Sequence, residues 1–143
     1  MSNIKKIHLL LDEVEEKLQK NNLRAENLKE ISKLFQKLNL SEKHPNFSTI
    51  FNYKAMNLAG IGLKNEAFGE IQAGKYVQII AIAYEIDKDG KRVIRNSSLG
   101  YYGKAEKLTQ ENKSDIIEFV LRWRYEKSFQ HSDYYQQLLE KLH

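Results

Sequence analysis

Cysteine is absent from all 143 residues. Disulfides, thiolate–metal sites and a cysteine nucleophile are therefore excluded. Proline occurs once, at Pro45, and there are seven glycines, too few for a low-complexity linker, so regular structure is expected along most of the chain. Long hydrophobic runs are missing too. The longest, near Ile79 to Tyr84, is far too short to span a bilayer. Residues Ile4 to Leu18 alternate apolar with charged, unlike the continuous apolar core of a signal peptide. The expectations are no membrane association and a cytoplasmic location, where the Asn-X-Ser triplets at Asn46, Asn96 and Asn112 carry no meaning.

What is present is ordinary globular material. Hydrophobic residues make up 41% and charged residues 29%, which argues against wholesale disorder. One domain over residues 1–143 is expected, long enough to bury a core without staples. The net charge is +4, and its excess is local: between Lys88 and Lys107 there are six basic residues against two acidic ones.

Periodicity predicts an α+β fold. Apolar residues at Ile4, Ile7, Leu11, Val14 and Leu18 recur every three or four positions and mark an amphipathic helix. Ser2 is its candidate N-cap, and Glu13–Lys17 and Glu16–Lys20 are favourable pairs on the opposite face. Lys20-Asn21-Asn22 interrupts the pattern, and Leu28, Ile31, Leu34/Phe35 and Leu38 resume it. An N-terminal helical hairpin is the expectation. Its apolar stripes need a cover, and a homodimer through this hairpin is one way to supply it.

Residues 47–74 fit either short helices, the first capped by Ser48 and carrying Ile50, Phe51 and Met56, or a strand of a meander between Leu63 and Ile71. Tyr76 to Ile86 is the clearest strand, rich in isoleucine, valine and tyrosine. Both its faces are apolar, so a layer is expected on each side. Asp87-Lys88-Asp89-Gly90 signals a hairpin turn, with a return strand from Arg92 to Tyr102. Thr109 should cap a helix burying Ile116, Phe119, Val120 and Trp123, and Ser132 or Asp133 should restart a last one. The architecture is thus a helical hairpin, a small antiparallel meander of three or four strands, and C-terminal helices packed on the sheet.

Motifs of catalysis fail on inspection. Gly69 to Lys75 matches a phosphate loop up to its lysine, but Tyr76 stands where Ser or Thr must ligate magnesium, and a strand follows where a helix is required. His8, His44, His131 and His143 have no metal-ligand spacing. The carboxylates Asp12, Glu13, Glu15 and Glu16 lie along a solvated helix face. No catalytic residue, cofactor or metal is expected.

The informative cluster is Lys88, Lys91, Arg92 and Arg95, followed by Tyr101, Tyr102, Lys104 and Lys107. Cations attract phosphates or acidic protein surfaces, and tyrosines stack on bases or anchor interfaces. Strand alternation places Arg92 and Tyr102 on one face and Arg95 and Tyr101 on the other. Arg122 and Tyr125, flanking the inward Trp123, are second candidates for contacting a partner. The expected function is non-enzymatic: a binding protein that occludes a macromolecular partner with an acidic surface, in the manner of an immunity protein or a phage-encoded inhibitor. The alternatives are nucleic-acid binding, with residues 48–102 forming a winged helix, and an enzyme with an unrecognised pocket.

Overall fold

The computed structural model describes residues 3–143, except for the side chain of Lys17. The Ser2 cap and the Glu13–Lys17 pair lie outside the described residues. The chain builds α1 (Asn3–Lys37), β1 (Ala55–Ala59), β2 (Tyr76–Ile86), β3 (Arg92–Lys104) and α2 (Gln110–Glu140). The strands pair antiparallel in the order β1-β2-β3, and the helices cover one side of the sheet. The α+β class, the three-stranded meander and the helical cover on the sheet are as the periodicity implies.

The helices are longer and fewer than their pattern suggests. Lys20-Asn21-Asn22 does not break α1, which continues unbroken to Lys37. Asparagine is only mildly unfavourable in a helix, and here tertiary contacts hold the turn: Lys20 pairs with Asp133, and Arg24 with Glu126 and Asp133. The helical pair is therefore made by the second half of α1 and by α2, running antiparallel with Arg24 beside Glu126 and Lys37 beside Glu111. Likewise α2 passes through Ser132 and Asp133 without restarting. Its start is as expected, with the Thr109 hydroxyl accepting the Asn112 N–H at 3.1 Å.

Residues 47–74 contain neither of the expected helices. Phe47–Asn52 is a 3-10 turn whose cap is Asn46, not Ser48: the Asn46 carboxamide accepts the Ser48 N–H. Met56 belongs to β1, and after Ala59 the chain is irregular, tied by a single bridge between Ile61 and Ile71. The first strand of the meander is thus Ala55–Ala59 and not a stretch between Leu63 and Ile71. With only short 3-10 turns at Phe47–Asn52 and Asn65–Ala67 and no α-helix over 48–58 or 63–72, the winged-helix arrangement has no recognition helix.

The core lies between helices and sheet. Ile31 and Phe35 of α1 and Leu38 just after it meet Ile116, Phe119, Val120 and Trp123 of α2 over Val77, Ile79 and Ala81 of β2 and Met56 of β1. The other face of β2 is not covered by a second layer, contrary to its sequence pattern. Ile80 and Ile82 are only half-buried, and Tyr84 and Ile86 are exposed.

Candidate binding face

The uncovered side of the sheet gathers most of the residues singled out from the sequence. Its central row is Tyr76, Gln78, Ile80, Ile82, Tyr84 and Ile86, every second residue of β2. Asn57 and Ala55 flank it on β1, opposite Ile80 and Ile82. On β3, Arg92, Ile94, Asn96 and Ser98 stand opposite Ile86, Tyr84, Ile82 and Ile80.

Toward its end β3 does not keep this alternation. Ile79 faces Gly100 while Ile80 faces Ser98, and Gln78 faces Tyr101 while Tyr76 faces Lys104. Each step puts one extra residue in β3, a β-bulge, and each bulge reverses which face the following residues show. The expected assignment is therefore corrected: Arg92 and Tyr101 share the open face, whereas Tyr102 turns to the covered side. Tyr101 stacks on Tyr76 with ring centroids 5.7 Å apart, both rings exposed. Tyr102 points its hydroxyl toward the Leu38 carbonyl at 3.5 Å, and burial pushes its pKa up to about 12. Two glycines make the reversal feasible. Gly103 takes a φ of +79°, which suits a residue without a Cβ, and a Cβ on Gly100 would collide with the Tyr102 ring.

Cations rim the face. The Arg92 guanidinium sits 4.1 Å from the centroid of Tyr84, and the Lys54 ammonium lies 5.9 Å from the same ring. Among the described residues, no carboxylate forms an ion pair with Arg92, Lys54 or Lys104. Arg95 differs: it lies on the opposite parity, exposed at the far end of the hairpin, and is paired with Glu85. Lys88 and Lys91 stay in the turn, where the Asp87 carboxylate accepts the N–H groups of Asp89 and Lys91. The basic ribbon thus divides into an unpaired group on the open face and a pair or turn elsewhere.

Arg122 and Tyr125 are not part of this site. The Arg122 side chain donates to Glu118 at 2.7 Å and to the Asn27 side chain at 3.1 Å, so it seals the seam between α1 and α2. Tyr125 is half-exposed beside Phe129, with centroids 4.7 Å apart. Buried Glu126 in the same seam accepts from Arg24 at 2.7 Å. Lys54, Tyr76, Tyr84 and Ile94 were the members missing from the sequence-derived cluster. Alternation along β2 and β3 could have supplied the last three, but Lys54 becomes visible only once β1 is placed.

No group of three His, Asp or Glu among the described residues could hold a metal ion, and no helix is long and apolar enough to cross a membrane. No protein-family model, curated protein or solved structure matches the chain.

Proposed function

We propose that this is a non-enzymatic binding protein that occludes an acidic protein partner with the open face of its sheet. The observation that carries the reading is the uncovered row Ile80, Ile82 and Tyr84, joined by Ile94 and rimmed by the unpaired cations Arg92 and Lys54. An apolar centre with a charged rim is the anatomy of a protein interface, and tyrosine and arginine are its commonest anchors. The immunity-protein and phage-inhibitor classes act by this kind of occlusion. A concavity beside β1 is lined by the cations Lys64 and Arg124, and Arg124 is bonded to the Met56 carbonyl.

A nucleic-acid partner is the second reading, and the stacked Tyr76–Tyr101 pair beside Lys104 favours it. One feature weighs against it: aliphatic isoleucines, which do not stack on bases, fill the centre of the face. One experiment separates the two. Wild type and the Arg92→Glu/Lys54→Glu variant are compared by pull-down from the native host and by titration with single-stranded DNA and RNA at low salt. The expected result is a protein partner retained by wild type and lost by the variant, with no nucleic-acid binding. An unchanged partner set removes the sheet face from the account. Binding to DNA or RNA that weakens steeply with salt replaces the first reading by the second.

A further inference from the structure

One face of α2 carries three basic residues, Arg124, Lys127 and His131, spaced three and four positions apart. Together with Lys54, which stands immediately before β1, they line a concavity of about 330 Å³ between α2 and that strand, with Trp123 among its walls. No Asp or Glu lines it. Arg122, two residues before Arg124, pairs with Glu118, and buried Glu126 is turned to Arg24. Among the described residues no carboxylate forms an ion pair with Lys54, Arg124 or Lys127.

Their structural duties leave donors over. Arg124 gives its Nε and Nη2 groups to the Met56 carbonyl at 3.1 and 3.0 Å, and Nη2 reaches the Asn57 carboxamide oxygen at 3.4 Å, so both N–H groups of Nη1 stay uncommitted. Lys127 gives one of its three N–H groups to the Phe51 carbonyl at 2.9 Å and stands 5.6 Å from the centroid of Trp123. Burial, and then the charge of Lys54, lowers the pKa of Lys127, so the cluster holds its positive charge at a cost.

We propose that this pocket binds a small phosphate-bearing molecule, its phosphoryl oxygens accepting from Arg124, Lys127 and Lys54. A phosphate monoester carries about −1.5 to −2 charges and three strong acceptor oxygens, enough to engage three cations at once, whereas a carboxylate brings a single charge. The concavity falls at the lower end of the size range of ligand pockets, about 300–1,000 Å³, which suits a compact ligand. Of the cations on the open sheet face only Lys54 borders it, so the ligand is independent of the protein partner proposed for that face.

The test is a titration of the full chain with pyrophosphate, against sodium chloride at matched ionic strength, followed by calorimetry and by the emission of Trp123, the only tryptophan. Saturable binding with a dissociation constant below about 1 mM is expected for pyrophosphate alone. Lys54→Gln, whose side chain holds no backbone carbonyl, should raise that constant at least about fivefold, and Lys127→Gln at least about tenfold. Arg92→Gln, on the open face, should leave it unchanged. Both glutamine variants at the pocket should keep the urea midpoint of wild type; if Lys127→Gln does not, Lys54→Gln alone decides. Absence of saturable binding up to about 10 mM overturns the proposal. So does binding that Lys54→Gln leaves intact, or binding that Arg92→Gln abolishes, which places the anion on the sheet face. Single-stranded DNA that displaces pyrophosphate at a lower phosphate concentration also overturns it, because the phosphate is then that of a nucleic-acid backbone.

Discussion

Tyr102 and Tyr101 are neighbours in sequence with opposite surroundings, the first turned toward the core and the second exposed. Burial disfavours the charged phenolate, so the folded protein holds the Tyr102 proton up to about pH 12. An unfolded chain loses it near pH ~10. The folded state thus binds more protons in that window, and stability falls as pH rises through it. The contribution is whole below the lower value and gone above the upper one. Denaturation of wild type and Tyr102→Phe at stepped alkaline pH should show the variant gaining on wild type across this window, because phenylalanine has no proton to lose. Parallel curves contradict the assigned burial. Residue identity alone could not separate the two tyrosines. Simple alternation assigns them the wrong way round, because nothing in Leu99-Gly100 or Tyr102-Gly103 announces that an extra residue is accommodated there. The glycines were the only trace.

At the scale of elements, α2 holds the Phe47–Asn52 turn and β1 by their backbone carbonyls. Trp123 donates its indole N–H to the Ile50 carbonyl at 2.9 Å, Lys127 donates to the Phe51 carbonyl at 2.9 Å, and Arg124 gives two N–H groups to the Met56 carbonyl. Carbonyls that a helix or strand would satisfy internally find side-chain donors on a neighbour instead. This is the physical reason residues 47–59 were misread: their conformation is set by a helix more than sixty positions away, not by local propensity. By contrast, Tyr76–Ile86 and the start of α2 were legible because their signals are local, a β-branched run and a threonine cap. Trp123→Phe keeps an aromatic ring but cuts the bicyclic indole to a single one and removes the donor, leaving a buried carbonyl unpaired beside the space of the lost ring. It should cost about 1–3 kcal/mol in urea unfolding. A change within a few tenths of a kcal/mol shows that the Ile50 carbonyl has another partner.

For the whole molecule, the core spans the second half of α1, the sheet and α2, whereas no residue of the first half of α1 whose side chain is described is buried. Helix length was underestimated from the sequence because the apolar stripe continues with little change from a stretch that packs to one that does not. Removing residues 1–16 should leave the unfolding midpoint of Trp123 fluorescence unchanged within about 0.5 kcal/mol at dilutions where the chain is monomeric, as for surface changes away from the core. A truncated chain that is already destabilised when dilute places part of the core in α1's outer half.

The paired insertions in β3 also bear on how such a surface changes over generations. Loss of the single codon for Leu99 would remove the extra residue and restore plain alternation, with Gly100 still opposite Ile79 and Tyr101 still opposite Gln78. The open face would present the same side chains beyond that point, and the cost would fall on the core, which would lose a buried leucine.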